Sequence, residues 1–449
     1  MTVRSTLRIA KRIAVRRSAR ERWWAMQRGF QRLKRLSGVN NRGFAKLVAR
    51  DALSFVTGVR PIEGETLERV RAAAEWLMRA QDEGGGVSYG YFPCEKTPGW
   101  QAPYPETTGY IITSLLAYAR DMGDVAARES AMRMARWEVA VQMPSGAVQG
   151  GKLTSRDKQT PAAFNTGMVL DGLVSAASVC PEPDILNGAR KAADFLVSDL
   201  TAEGYFRTNG EFVSRATIKT YNCLCAWALM RFGRLASEAR CEGAAVHAIS
   251  GALKQQLSNG WFANNCLDHP EAPLLHTIGY TLQGVLEVGA LAQREDFIDA
   301  ARRGAEPIAA AVSPNGFIAA RLDAEWQPAA FSACLTGSAQ FAVVCYRLAE
   351  LTNQNKWRST ADRIVNFLKG CQTIEANDPG VRGALAGSFP ILGEYQTMGY
   401  PNWATKYFLD ALLLQLRLNL SSHADTGDSE WRGNTALSEQ VQAGNISVL

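Results

Sequence analysis

Nowhere in the 449-residue chain does an apolar run approach the roughly 18–20 residues needed to cross a bilayer. The basic N-terminus is not followed by the roughly 7–15 apolar residues of a secretory signal. The Arg16-Arg17 pair likewise lacks the apolar stretch of a twin-arginine signal. A cytoplasmic protein is therefore expected, although an Arg-rich, acid-poor start leaves an organelle transit peptide open. Alternating apolar and polar runs of the strand type are almost absent, which argues against a β-rich fold. Nine cysteines, an odd number, give no paired disulfide framework and point to a reducing compartment. Zinc spacing is missing too. Cys223-Leu224-Cys225 falls in an apolar helical stretch, and Cys266-Leu267-Asp268-His269 has no second Cys/His pair. Gly84-Gly85-Gly86 lacks the lysine and the preceding strand of a phosphate loop. Neither a metal nor a cofactor is expected.

Charge is present but unevenly placed. The net +6 combines fifteen Lys/Arg and one acid (Glu21) in residues 1–50 with 34 basic and 42 acidic residues in the remainder. The body is mildly acidic and carries a strongly basic arm. Within the arm Trp23, Met26, Phe30, Leu33 and Leu36 recur at helical steps among arginines. Such a stripe suits a segment lying on an anionic membrane face, where each basic residue contributes about 1 kcal/mol. The alternative is that Trp23 and Trp24 pack on the body. No nucleic-acid motif accompanies the charge, so nucleic acid is not an expected partner. Residues 421–449 turn polar and read as a loose tail.

From residue 64 to 418 the chain repeats itself. Helical segments end near Gln81, Gln142, Leu200, Gln256, Val312 and Gln372, at intervals of 61, 58, 56, 56 and 60 residues. Each is followed by a Gly-containing loop and then by a second helix with a small-polar opening. Thr108, Thr166, Thr220, Thr277 and Thr336 mark that opening, 58, 54, 57 and 59 residues apart. Threonine or asparagine there is expected to cap the helix start. The second helices are apolar all round, as in Ile111-Ile112-Thr113-Ser114-Leu115-Leu116, whereas the first carry charge on one face. Helices of the two kinds belong inside and outside. Six such pairs predict an all-α protein, an (α/α)6 toroid of six helical hairpins.

In such a ring all inner helices start at one end, so six partly positive N-termini surround a single funnel. The long loops bring aromatic and titratable side chains to it. Trp100, Tyr104, Asn165, Tyr221, Trp261, Arg382, Tyr395, Trp403 and Lys406 are the candidate substrate contacts. Aromatic rings between polar groups suit sugars, and cations between them suit acidic sugars. Glu106 stands in the turn before an inner helix, either as a carboxylate favoured by the helix dipole or as a catalytic acid. His276 and Tyr280, four apart, share a helix face and offer a general base and acid if that face lines the funnel. A buried, hydrogen-bonded histidine is the competing reading. Tyr110 and Glu394 complete the catalytic candidates. Glu106 and Glu394 would serve glycoside hydrolysis if they stood roughly 5–9.5 Å apart.

With those residues in view, the chain resembles the six-hairpin α/α-toroid superfamily over residues 64–418. The segments Pro105-Glu106-Thr107-Thr108-Gly109-Tyr110-Ile111-Ile112, His276-Thr277-Ile278-Gly279-Tyr280 and Pro401-Asn402-Trp403-Ala404-Thr405-Lys406 look like proteins of bacterial exopolysaccharide and O-antigen loci. That group is squalene-cyclase-like, or related to glucuronyl C5-epimerases. Other branches are argued against by missing motifs: the Asp-rich cluster of terpene cyclases, the zinc set of prenyltransferases and lanthionine cyclases, and the Gly-Cys-Gly-Glu-Gln of thioester domains. The resemblance implies action on an oligo- or polysaccharide. Proton abstraction beside a uronate carboxylate, in an epimerase or lyase, is the first expectation. Arg382 and Lys406 would hold that carboxylate, and Trp100, Trp261 and Trp403 would stack on sugar rings. Glycoside hydrolysis, or a non-catalytic glycan-binding subunit on the inner membrane, are the alternatives.

Overall fold

The computed structural model describes residues 42–210, 218–267 and 269–426, with side chains through residue 420. The aromatic stripe of the basic arm, Arg215, Asp268 and the tail beyond 426 lie outside the described residues. Six helices form an outer ring: α2 (Thr66–Arg79), α4 (Val125–Val141), α6 (Pro183–Asp199), α8 (Ala239–Leu253), α10 (Glu295–Ala311) and α12 (Asn355–Cys371). Six form an inner one: α3 (Pro105–Met122), α5 (Ala163–Val179), α7 (Cys223–Ala236), α9 (Leu275–Ala292), α11 (Leu335–Thr352) and α13 (Asn402–Thr426). The hydrophobic pattern dictates the division. Every residue of α9 from Leu275 to Gly289 is buried, whereas α12 buries only one face, with Trp357, Ile364 and Phe367 on it. Each inner helix packs on the next, and α13 packs on both α11 and α3, closing the (α/α)6 toroid.

The closure has a register that the repeat alone did not reveal. Sequence divides the chain into outer helix, long loop, inner helix. In space the tight hairpins run from inner to outer helix through short turns, at Gly123 (φ 66°) and Gln293 (φ 52°), for example. The last inner helix, α13, therefore pairs with the first outer helix, α2. The recurring glutamines are the staples between outer helices. Gln81 donates to the carbonyls of Gly85 and Ser130, Gln142 to those of Gly146 and Gly188, and Gln256 to those of Gly260 and Ala300. Gln372 does the same with Gly383 and, across the closure, with Arg69. The loop glycines are needed because each turn presses on a carbonyl of the next outer helix. A Cβ on Gly260 (φ 84°) would collide with the Arg303 oxygen.

The threonines do not act as N-caps. Thr108 and Thr166 donate to the carbonyls of Tyr104 and Ala162, four residues back. Their oxygens accept the amides of Val87 and Val148, tying each loop to its inner helix. The signature therefore marks loop anchorage.

At the long-loop end, β1 (Gly90–Phe92) pairs antiparallel with β2 (Gly99–Trp100) and with β5 (Tyr400–Pro401), joining the first and sixth repeats. A second pair links β3 (Ala333–Cys334) to β4 (Ser388–Phe389). Helix α1 (Arg42–Thr57), outside the ring, docks on these strands. Phe44 meets Tyr400, Phe55 meets Phe331 and Phe389, and the Asp51 carboxylate accepts the Ile391 amide at 2.6 Å. The last nine residues assigned to the basic arm thus pack on the body. Among the described residues no helix is long and apolar enough to cross a membrane.

Candidate functional site

Inward-facing positions on the inner helices recur every three to four residues, so the ring's axis is lined in layers. The layer at the mouth holds Glu106, Phe164, His276 and Trp403; below it come Tyr110, Tyr280, Gln340 and Tyr407. Nearer the short-turn end neighbouring inner helices are tied by ion pairs. Arg417 meets Asp121 at 2.6 Å, Arg347 meets Glu287 at 2.7 Å, and Arg231 meets Asp171. The candidate residues lie at the long-loop end, where the inner helices begin.

Glu106 is the centre of the mouth. It is buried, 8% exposed, and its Oε2 accepts the Tyr104 hydroxyl at 2.6 Å. Burial pushes its carboxyl up to about 7, against which the Tyr104 hydrogen bond pulls only weakly. Tyr89, Tyr104, Tyr110, Tyr221, Tyr280, Tyr395 and Tyr407 all feel its charge. Burial first, and that charge second or lower, raises each phenol above its ordinary value. These tyrosines stay protonated near neutral pH; Tyr104 donates to Glu106, while the Tyr89 and Tyr395 hydroxyls accept from Gln396 and Trp403. Among the described residues the Tyr110 hydroxyl has no hydrogen-bond partner, and the buried Asn165 amide lies beside the Tyr104 hydroxyl. Buried groups of this kind cost stability unless a ligand or water meets them.

His276 faces the same cluster. Its ring lies 4.2 Å from that of Tyr280, 5.9 Å from Tyr407 and 6.0 Å from Tyr395. Burial drives the imidazole down to about 3, so it is neutral at physiological pH. The Gln340 amide is best oriented with its nitrogen toward His276. It then donates to the His276 carbonyl at 3.0 Å and to Nδ1 at 3.1 Å, while its oxygen accepts the Tyr280 amide at 3.2 Å. That assignment puts the imidazole proton on Nε2 and makes His276 a neutral donor. The histidine expected as a base is thus a neutral, buried imidazole, and the carboxyl that burial pushes up to about 7 is Glu106.

Of the other candidates, Tyr104, Asn165, Tyr221, Tyr280, Tyr395, Trp403 and Lys406 gather here. Trp403 donates to the Tyr395 hydroxyl at 2.8 Å and lies edge-on to Tyr89, 4.7 Å between centroids. Tyr221 packs on Phe164 at 5.3 Å, and Phe164 on Tyr280 at 4.7 Å. Lys406 stands over the rings of Tyr407 and Tyr110, at 4.0 and 5.0 Å, but its charge is met by Asp410 at 2.7 Å. Asp410 in turn accepts from Ser114 at 2.6 Å. Lys406 is thus a buried cation already paired with a carboxylate of its own helix.

Four candidates are placed otherwise. Arg382 is exposed on the outer ring, in a hollow with Glu75 and Arg79 of α2, because its loop folds outward over that helix. Glu394 is engaged by Arg321, whose Nε donates to it at 2.6 Å, so it holds the loop that carries Tyr395. Trp261 is 5% exposed and packs edge-on against Trp326 at 5.0 Å, covering its own loop. Trp100 lies over Trp76 and Tyr91 on the small sheet. Trp261 is thereby covered, whereas Trp100 remains 36% exposed on the sheet. Sequence reasoning missed Phe164, Gln340 and Tyr407. The signal was there for Tyr407, which follows Trp403 by four residues just as Tyr280 follows His276 and Tyr110 follows Glu106. Cys223 and Cys225 are buried in α7 against glycines of neighbouring inner helices, as core residues.

No protein-family model and no curated protein matches the chain. Solved structures do. An unsaturated glucuronyl hydrolase specific for heparin superposes with a TM-score of 0.63 at 15% identity, covering 78% of this chain and 97% of that one. A cellobiose 2-epimerase from Bacillus thermoamylovorans B4167 gives 0.60 at 13% identity, covering 78% and 98%. A D-mannose isomerase gives 0.60 at 11% identity, covering 80% and 100%. At these identities the likeness is one of fold. The chain and these three enzymes share the (α/α)6 toroid.

Proposed function

We propose that this protein is a carbohydrate-active enzyme that removes a proton beside the carboxylate of a uronate residue in an acidic glycan. The observation that carries the reading is Glu106, a buried carboxyl pushed to about 7 at the mouth of a tyrosine-lined ring. A general base works best when its pKa lies near the operating pH. In the proposed reaction Glu106 takes the proton from the carbon bearing the carboxylate. Tyr110, whose hydroxyl is unpartnered, and His276 Nε2–H donate to the oxygen on which charge develops. Return of a proton to the opposite face gives the epimer. Loss of the substituent on the next carbon, with a tyrosine protonating the departing oxygen, gives the unsaturated product of a lyase. Sugar enzymes among the structural neighbours support the substrate class. The engagement of Glu394 by Arg321 speaks against a two-carboxylate hydrolysis.

The motif resemblance supports a setting in bacterial exopolysaccharide or O-antigen production. The basic first fifty residues support a peripheral position on the inner membrane. The test is incubation with uronate glycans, read for an altered C5 configuration or an unsaturated chain end. New saturated reducing ends, lost in Glu106→Gln, would replace the reading with hydrolysis. Binding without any product, unaffected by Glu106→Gln, would replace it with a non-catalytic glycan-binding subunit.

A further inference from the structure

Both cations expected to meet a substrate carboxylate are unsuited to it: Lys406 is neutralised by Asp410 and Arg382 faces the outer ring. We infer that Lys152 is the residue that selects an acidic glycan, pairing with the carboxylate of the sugar that neighbours the one at Glu106. This rests on the acidic-glycan reading above and adds to it a subsite and a specificity residue.

Lys152 lies in the long second-repeat loop, on backbone that is pinned. Gln149, 2% exposed, donates to the Lys152 carbonyl at 2.6 Å and accepts the Thr154 amide at 3.2 Å. The Leu153 amide donates to the Pro103 carbonyl at 3.1 Å, two residues before α3 begins. Lys152 is thereby held in register with the segment that presents Tyr104 and Glu106.

Its ammonium stands 4.6 Å over the Tyr89 ring and 3.5 Å from Gln101 Oε1, and it has no carboxylate partner among the described residues. Tyr89 and Tyr104 lie with centroids 5.4 Å apart, and Tyr104 holds Glu106. Cation, ring, ring and catalytic carboxyl thus form one continuous line. From the cation to Tyr104, the residue that holds Glu106, runs a groove of about 550 Å³, lined by Tyr89, Tyr104, Glu95, Gln101, Lys152 and Gln396. A sugar lying on Tyr89 presents its carboxylate to Lys152 and its hydroxyls to Gln101 and Gln396, while the next sugar reaches Glu106.

Lys152 is exposed, so its substitution leaves the fold intact. Acidic oligosaccharides prepared from alginate, polygalacturonate and heparosan, each beside its carboxyl-reduced counterpart, are titrated calorimetrically into wild type, Lys152→Met and Lys152→Arg. Lys152→Met should weaken binding of the acidic oligomer about three- to tenfold, the loss expected for a half-exposed charge-assisted contact. The reduced oligomer should bind wild type and Lys152→Met alike. Lys152→Arg should restore acidic binding. The wild-type preference should fade in about 1 M salt, where the screening length falls to about 3 Å. Equal binding of the acidic oligomer by wild type and Lys152→Met overturns the inference while leaving the proposed function standing. If wild type binds none of the acidic oligomers, the proposed function fails and the subsite with it.

Discussion

Replacing Glu106 by glutamine should stabilise the protein while removing its activity, and the gain should depend on pH in a defined direction. The carboxyl ordinarily titrates at 4.5 and is pushed to about 7 in the fold. Below pH 4.5 it is protonated both folded and unfolded and costs nothing. As pH rises, the unfolded chain releases the proton first, so the folded state loses stability progressively between 4.5 and 7. Above 7 both states are ionised and the loss levels off. At 1.36 kcal/mol for each pH unit the total is about 3 kcal/mol. Glutamine keeps the acceptor for the Tyr104 hydroxyl and does not titrate. The stability difference between variant and wild type should therefore widen by about 3 kcal/mol from pH 4 to pH 8. Urea unfolding followed by circular dichroism at several pH values measures it, and other titrating groups cancel in the difference. Parallel pH profiles, or a wild type that gains on the variant as pH rises, would refute the burial argument. The same substitution should lower turnover by about 10²–10⁴, the usual contribution of a general base.

Helix α1 offers a second titration. Burial raises Asp51 from 3.8 to about 6, so Asp51→Asn, which retains an acceptor for the Ile391 amide, should gain about 2–3 kcal/mol over wild type above pH 6 and little below pH 4. Phe44→Ala, which empties a 3%-exposed site against Tyr400, should cost about 3–5 kcal/mol by thermal or urea unfolding, if α1 is integral to the body. Removing residues 1–41 should leave the melting temperature unchanged but abolish sedimentation with anionic vesicles. Full-length protein should be released from those vesicles by salt. At the ring closure, Gln372→Ala removes the bonds to the Arg69 and Gly383 carbonyls and should cost about 1–3 kcal/mol; no measurable loss would mean that the staple is idle.

The ring was legible because its signal is repeated. Six apolar helices alternating with six amphipathic ones leave one economical way to bury every apolar face, and the period was readable without knowing any contact. Glu106, Tyr110, His276 and Tyr280 were legible because helical residues four apart must share a face. Loop residues obey no such rule. Trp100, Trp261 and Arg382 lie in long segments that fold back over outer helices and small strands, and composition cannot tell a mouth from an outer rim. The threonine signature was legible as a recurrence and misread as chemistry, since helix start and loop anchor call for the same hydroxyl at the same place. Gln340 was missed because its effect on His276 acts between helices 64 residues apart in sequence.

Solvent deuterium exchange tests the central claim most directly. Uronate oligosaccharides are incubated with wild type, Glu106→Gln and His276→Ala in deuterium oxide, and C5 is followed by proton NMR. The account predicts loss of the C5 proton signal with wild type, its retention with Glu106→Gln, and slowed exchange with His276→Ala. Exchange that proceeds undiminished in Glu106→Gln, or turnover of a uronate glycan with C5 wholly protonated, would contradict it.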